Sequence, residues 1–556
     1  MKVLIKTNIL LLLLSLSLMA NSLPVPITNP IYLFLKRLET RGIISRYNDS
    51  VLPLTRNKLA EYLKEAGENR SQLNNIEREI LTEFLADYRP ELRAAADQTV
   101  AQGPFISDNG LQTTLKNIGC RSDNREETHL FSYEDNNNFL WADFDAAITS
   151  QHRDGKQRFI FYDAYSLRSG FGEHITATVQ YWRYTRHSSG EFSEPLDVEA
   201  GNWNMYHEEF NSVMCDNLYS SLSYNNTNFT IRLSNQPVLW GTSYHNNLIL
   251  ADKSPSFPHI GLSYDYKGVR LSFLHASLLN DSTANKSVGM AARNCQKHLA
   301  INRFDIPLFK GKINIGLTDL VIYGGRGMEL AYLSPINFYW AADHALMDRD
   351  NALVAFDIKA KVMKNFSLYG SFLLDELKLG ALTKQWWANK QALQVGALLA
   401  LKIKGFPTDI QAEFSAVHPW TYSHKSYVSN YTHNGIILGF PYGPNSRVVF
   451  LRSETYLSRR TRLSFFFNHV RHGEDDGSAF YGGDPTVPYT LRDPKYDNDT
   501  KWLMGSIKKT NLLKCEIEYE LFNDSFLLGG IEYITESVGG ENQNSIFVNI
   551  GVKVNI

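Results

Sequence analysis

Over Leu513–Leu521 the sequence LKCEIEYEL changes character at every residue. Leu513, Cys515, Ile517, Tyr519 and Leu521 share one face, and Lys514, Glu516, Glu518 and Glu520 share the other. Successive side chains take opposite sides only in an extended chain, so this is a strand with one apolar face. The rhythm recurs. Val354, Phe356, Ile358, Ala360 and Val362 oppose Asp357, Lys359 and Lys361. Ile175, Ala177, Val179 and Tyr181 oppose Thr176, Thr178 and Gln180. Phe229, Ile231 and Leu233 oppose Thr230, Arg232 and Ser234. Ile546, Val548, Ile550, Val552 and Val554 oppose Phe547, Asn549, Gly551, Lys553 and Asn555. From residue 140 onward the count comes to about 16 to 18 such segments, many near the length at which a tilted strand crosses a bilayer.

Tight turns join several pairs, at Lys267-Gly268, Lys364-Asn365, Lys404-Gly405 and Asn523-Asp524. Other connections, such as 186–216 and 473–500, are long, polar and rich in Gly and Asn. Short turns at one end and long loops at the other are the asymmetry of an outer-membrane barrel. A soluble sandwich or propeller also alternates. The export signal, the strand length and an aromatic share of 12% suited to interfacial girdles favour an all-β, antiparallel, closed transmembrane barrel. Closure also removes the open edges that lipid does not tolerate. A mean hydropathy of −0.28 fits a barrel, whose apolar residues are spread at every second position, better than a bundle of membrane helices. With 56 basic and 58 acidic residues, the chain has no excess of positive charge to address nucleic acid.

Lys2 and Lys6, the Leu-rich run Ile9–Leu18 and the small residues Ala20, Asn21 and Ser22 read as a secretory signal peptide over 1–22. Residues 23–100 read as a periplasmic helical bundle. Ile31, Leu35 and Leu38 recur at helical spacing up to Gly42, and Thr55 is placed to cap a second helix carrying Leu59, Tyr62 and Leu63. A third helix is expected from Ser71 through Ile76, Ile80, Phe84 and Leu85. Residues 101–140 are assigned to a linker and barrel entry, and 141–556 to the barrel with its lumen and loop segments. Cys120, Cys215, Cys295 and Cys515 are too scattered for a thiolate metal site, and any disulfide pairing among them stays open.

Four stretches break the strand rhythm. They are NPIYLFLKRLETRGIISRYNDSVLPLTRNKLAEYL at 29–63 and PVLWGTSYHNNLILADKSPSFPHI at 237–260, then GGRGMELAYLSPINFY with DRDNAL within 323–353, and TYSH, NYTH and LGFPYGPNS within 418–452. Together they resemble the Wzi-type capsule assembly family of outer-membrane proteins, over most of the chain from residue 29 onward. The resemblance implies an 18-stranded barrel with a periplasmic helical bundle. It implies a lectin-like role, holding capsular or other extracellular polysaccharide at the cell surface. One departure is the end of the chain. Barrels of this type commonly finish on an aromatic residue recognised during assembly, whereas this chain finishes on Ile556, apolar and on the lipid-facing side of the rhythm.

The segment 324–351 is too irregular for a membrane strand, so it is expected in the lumen or at a barrel mouth. A short helix is expected from Met328 to Tyr332. As a sugar site the segment would offer Tyr339 and Trp340 to stack on ring faces, with Arg326, Glu329, Asp343, His344, Asp348, Arg349 and Asn351 to bind hydroxyls or acidic groups. As a structural plug, its charges would pair internally. Tyr422, His424, Tyr431 and His433 extend the candidate ligand set. His418, His424 and His433 stand six and nine residues apart, a spacing that matches no compact metal signature. No GxSxG elbow, phosphate loop or dinucleotide fingerprint is present, and Asp475-Asp476 beside His472 and Glu474 reads as solvated loop charge.

The expectation is therefore a non-enzymatic protein of the outer membrane, without cofactor or metal. Its partners would be polysaccharide, outer-membrane lipid and the barrel assembly machinery. A diffusion porin is the second reading, and an outer-membrane hydrolase a third.

Overall fold

The structure, a computed structural model, describes residues 23–92, 129–135, 138–189, 204–207, 212–243, 246–280, 296–381, 384–477 and 479–555. The expected signal peptide, most of the expected linker, Cys120, Cys295 and Ile556 lie outside them.

Eighteen long strands close into one antiparallel barrel among the described residues, and two short ones, Phe131–Asp135 and Asn204–His207, pair alongside them. In chain order the long strands are β1 Asn138–Arg153, β2 Lys156–Phe171, β3 Ile175–Ser188, β4 Ser212–Asn226, β5 Phe229–Ser234, β6 His259–Tyr266, β7 Val269–Leu278, β8 Lys297–Leu308 and β9 Ile313–Gly324. They continue with β10 Asn351–Met363, β11 Phe366–Glu376, β12 Lys390–Ile403, β13 Phe406–Val417, β14 Ser446–Ser458, β15 Thr461–Glu474, β16 Ser506–Phe522, β17 Ser525–Val538 and β18 Glu541–Asn555. Each pairs with its neighbours in sequence, and β18 pairs with β1 from Phe547↔Arg153 to Asn555↔Asp145, so the sheet has no free edge.

The two faces of the wall follow the sequence rhythm. Leu513, Cys515, Ile517, Phe356, Ile358, Val179, Leu233, Ile546 and Ile550 all lie exposed on the outside. Asp357, Lys359, Thr176, Thr178 and Ser234 are buried on the inside. A broad apolar exterior over a polar interior is the inverse of a water-soluble sheet and is what a lipid-facing barrel requires. The tight turns are built as expected. Lys267 and Gly268 have φ of 52° and 90°, and Lys404 and Gly405 have 51° and 98°. These left-handed pairs match the strand twist, and a glycine in the second place relieves the cost.

Three helices cap the turn end. α1 Ile31–Arg41 stops at Gly42, whose φ of 78° closes the last carbonyls. α2 Arg56–Glu68 is capped by the Thr55 side chain. α3 Asn75–Asp87 begins later than Ser71, because Asn74 and Glu77 form a reciprocal capping box there. Ile31, Leu35, Leu38, Leu59, Leu63 and Leu81 make the bundle core. Its ion pairs reach the wall: Lys359 of β10 meets Glu39 at 2.5 Å and Asp49 at 3.4 Å.

From the opposite end, two irregular segments turn into the lumen, 235–258 and 418–445. Trp240, Leu248, Ile249, Leu250, Tyr422, Tyr431, Leu438 and Phe440 pack there against Leu274, Leu299, Ile301, Leu320, Leu353 and Leu373 from the inner wall. Val51 and Leu52 of the bundle pair with Trp240 and Leu239, so bundle and lumen filling form one stack.

Candidate functional site

The residues singled out from sequence separate into two places, and a third place emerges beside them. Tyr422, His424, Tyr431 and His433 belong to the lumen core. Tyr422 and Tyr431 are fully buried, stacked with centroids 5.5 Å apart, and donate to the carbonyls of Leu248 and Ile249 at 2.8 and 2.9 Å. His424 Nδ1 sits 2.7 Å from Ser429 Oγ, and His433 Nδ1 accepts from the Leu279 N–H at 3.0 Å. Burial pushes His433 down to about 4 and His424, which also faces Lys390 and Lys425, down to about 2. These groups tie the filling together rather than presenting polar atoms to a polymer.

The segment 325–350 does not enter the lumen. On β8 and β9 the inward residues are Leu299, Ile301, Leu320 and Ile322, which pack in the lumen core. The alternate residues Ala300, Val321 and Tyr323 pack instead with Phe273, Tyr332 and Tyr339. The segment is therefore folded over the outer face of the wall, which corrects the expectation of a lumen or mouth position. The physical reason is that two polar side chains, Asn302 and Asp319, stand on the outward face here beside an apolar cluster, and the segment satisfies both kinds of group. Tyr339 N–H donates to the Asp319 carboxylate, the Tyr339 hydroxyl donates to Asn302 Oδ1 at 3.0 Å, and Asn302 Nδ2 donates to the Asn337 carbonyl at 2.8 Å. The expected Met328–Tyr332 helix reduces to a 3-10 turn at Leu330–Tyr332, and a seven-residue helix, α4, forms at Tyr339–Ala345.

Within this flap Arg326 pairs with Asp350, its Nη1 at 2.9 Å from Oδ1, and lies 3.6 Å from Glu329. Arg349 reaches Glu329 at 3.9 Å, and His344 reaches Asp348 at 3.4 Å. Asp343 is buried and accepts from the Asp350 N–H at 3.0 Å. Asn351 is buried and donates to the Ser429 carbonyl at 3.1 Å. Tyr339 is fully buried, while Trp340, His344, Asp348 and Arg349 remain open. The internal charge pairing expected of a structural element is thus present.

The third place lies at the long-loop mouth and was not singled out from sequence. Described parts of two loops, 384–389 and 479–505, meet over Trp420. The Trp387 ring carries the Arg492 guanidinium 3.8 Å above its centroid, and Asp497 fixes that guanidinium at 2.9 and 3.2 Å. Tyr489 lies 5.0 Å from Trp387, and Trp386 lies 6.2 Å from it with Lys378 above. Tyr481 and Tyr496 pair at 5.4 Å. The loops are locked by backbone bonds, Trp387 N–H to the Asp497 carbonyl and Trp420 N–H to the Gly482 carbonyl, both 3.0 Å. Gly482 has φ of 75°, and a Cβ there would stand 2.6 Å from Trp420, so no larger residue fits the approach. Trp420 and Tyr422 themselves hold φ of 66° and 75°, a strained state that the surrounding bonds impose.

The loops leave two aromatic side chains partly open at this mouth. Phe480 is 41% exposed and Trp386 half-buried, giving aromatic faces. The Trp387 indole N–H is buried without an acceptor beneath these loops. The sequence signal was available in the adjacent pairs Trp386-Trp387 and Phe480-Tyr481, with Tyr489 and Tyr496 nearby, in segments otherwise read as polar loops.

The same architecture occurs in a solved structure from Escherichia coli, described as Wzi, an outer membrane protein involved in group 1 capsule assembly and a carbohydrate binding β-barrel. It aligns with a TM-score of 0.58 at 13% identity, covering 97% of this chain and 99% of that one. Pseudomonas aeruginosa OccK5 (OpdH) and OprD align over 75% of this chain and 98% and 95% of theirs, with TM-scores of 0.42 and 0.41 and identities of 8% and 12%. No curated protein matches the sequence. The family model for capsule assembly protein Wzi matches residues 141–538, well over half of the chain and nearly the whole barrel wall, and the chain therefore belongs to that family.

Proposed function

We propose that this outer-membrane barrel binds capsular or other extracellular polysaccharide through the aromatic cleft at its long-loop mouth. The observation that carries the reading is the Trp387 site, where a buried, unpaired indole N–H stands beside a fixed guanidinium and half-open aromatic faces. Each such contact with a sugar is weak, but a long polymer meets many copies of the protein, and effective concentration multiplies the hold. The likeness to the carbohydrate-binding Wzi barrel supports the same ligand class. At the flap's upper edge, Asp348, Arg349 and His344 are open to extend the contact with the polymer.

The reading is of binding rather than turnover. Carboxylates near the cleft are already engaged, Asp497 with Arg492 and Asp475 with the Tyr481 N–H at 2.7 Å. A glycosidase needs one such group protonated and another free to attack or activate water. The apolar exterior would be met by outer-membrane lipid, and the closed wall would be inserted by the barrel assembly machinery.

The test replaces Trp386→Ala and Phe480→Ala together in cells that display the native polymer. At equal protein level in the outer membrane, retained surface polysaccharide should fall towards the level of a gene deletion. Retention equal to the unaltered protein removes the cleft from the function.

A further inference from the structure

The apolar exterior of the barrel is not equally tall all round. On β12 the outward residues Leu393, Val395, Ala397, Leu399, Leu401 and Ile403 span ten steps along the strand. That is about 33 Å along a strand, and at a tilt of about 40° it gives about 25 Å of height, the apolar band of an outer-membrane barrel. On β9 only Ile313, Ile315 and Leu317 lead up from the turn before Asp319 appears on the same face. Four steps give about 13 Å along the strand and about 10 Å of height. On the neighbouring β8, Phe304 is likewise followed by Asn302. The band is thus interrupted about 10 Å above the turns, where Asn302 and Asp319 would face lipid unpaired at a cost, below the apolar Ala300 and Val321.

The flap 325–350 covers that interruption. Its inner side pairs with Asn302 and Asp319, and its outer side is apolar: Leu330 is 80% exposed, Ile336 74%, Phe338 49% and Trp340 48%. Exposed apolar groups of this size, continuous with the lipid-facing band, are not a water-facing surface. The charged end lies at the rim, where Lys425 of the 418–445 segment donates to the Asp348 carbonyl. The apolar end hangs lower, at Asn302 and Asp319. Irregular backbone is tolerated at membrane depth only when its polar groups are satisfied from within. Here the N–H groups of Glu329, Tyr332, Leu333, Asn337, Phe338, Tyr339, Ala342 and Leu346 all have protein acceptors.

We propose that the flap is embedded in the outer leaflet of the outer membrane, with Leu330, Ile336, Phe338 and Trp340 among the acyl chains. It completes the lipid-facing band on this side of the barrel and leaves Asp348 and Arg349 at headgroup level. Acyl chains are preferred over a second copy or a partner protein because the flap restores the height that the adjoining strands already present to lipid. The proposal stands apart from binding at the mouth cleft, since it concerns the apolar outer side of the flap and not its charged upper edge.

The test places a nitroxide at Ile336→Cys in full-length protein whose own cysteines are changed (Cys120→Ser, Cys215→Ser, Cys295→Ser, Cys515→Ser), in nanodiscs of phosphatidylglycerol and lipopolysaccharide. Val395→Cys serves as the lipid-facing reference and Leu491→Cys as the aqueous one. The ratio of oxygen to nickel-chelate accessibility at Ile336 should match that at Val395. A ratio matching Leu491 puts the flap in water, and low access to both reagents puts protein over it; either overturns the proposal. A benzoylphenylalanine photoprobe at Phe338, in a chain with its cysteines intact, gives a second reading in whole cells. A lipopolysaccharide adduct supports the proposal, and a protein adduct or none contradicts it.

Discussion

Arg37, on the first helix of the bundle, reaches the barrel wall and pairs with Asp409 on β13 while its Nε donates to Glu77 at 2.8 Å. It also donates to the Leu401 carbonyl on β12 at 2.7 Å. One guanidinium, itself 2% exposed, therefore joins two helices to the β12–β13 hairpin. Its planar fork suits three acceptors at once in a way that a lysine does not.

Arg37→Ala leaves two carboxylates without this partner, and Glu77 is fully buried. Breaking a buried pair in this way costs about 3–5 kcal/mol. The loss should fall on the bundle. Limited proteolysis should release residues 23–92 while the barrel keeps its heat-modifiable mobility on gels. Arg37→Lys should recover only part of the protection.

Tyr422 and Tyr431 are the centre of the lumen filling, each bonded to the inserted 235–258 segment. Removing a buried aromatic side chain costs about 3–5 kcal/mol. Planar-bilayer recordings should show little steady current for the unaltered protein. Frequent openings should appear in Tyr422→Ala/Tyr431→Ala. A large ohmic conductance without any substitution would show that the filling does not block the path.

The histidines of the 418–445 segment make the filling acid-sensitive. Burial lowers His418 and His433 to about 4 and His424 to about 2, each from an ordinary value near 6.5. A depressed histidine favours the neutral, folded form. Its contribution is therefore complete above about pH 6.5 and is lost as the pH falls through the folded values. Hydrogen exchange over 418–445 should be steady from pH 7 to 8 after correction for intrinsic rates. It should rise relative to the barrel wall between pH 6 and 4. Lys390, Lys425 and Lys297 are the cations that face these rings, and they oppose protonation.

Leu399 is an outward residue midway along the 393–403 band of β12. Leu399→Arg should cost about 2–4 kcal/mol of folding stability in vesicles, the penalty for a cation at mid-bilayer. Urea titration in lipid measures it. The same change in the exposed loop, Leu491→Arg, should be close to neutral.

The wall of this fold was legible because lipid and lumen impose opposite demands on alternate residues. Val354–Val362 and Leu513–Leu521 carry that demand openly, and Lys267-Gly268 and Lys404-Gly405 mark where the chain reverses. The start of the third helix was placed at Ser71, four residues early, because the Asn74–Glu77 pair that supplies the reciprocal capping bonds was passed over. The flap was assigned to the lumen or a mouth because irregular backbone was taken to exclude the outer wall. The signal against that was present in β8 and β9, where Asn302 and Asp319 stand at lipid-facing parity. The aromatic cleft was missed for another reason. Trp386, Trp387, Phe480 and Tyr489 sit in long loops without periodicity, and only the folded contacts bring Arg492 over Trp387.

Binding of the purified native surface polysaccharide to the full-length protein in detergent tests the central claim most directly. Wild-type protein should bind saturably, and Trp386→Ala/Phe480→Ala should weaken the affinity by about tenfold or more, a loss of about 1.4 kcal/mol in stacking. Equal affinity of the two proteins, or no saturable binding by the wild type, contradicts the account.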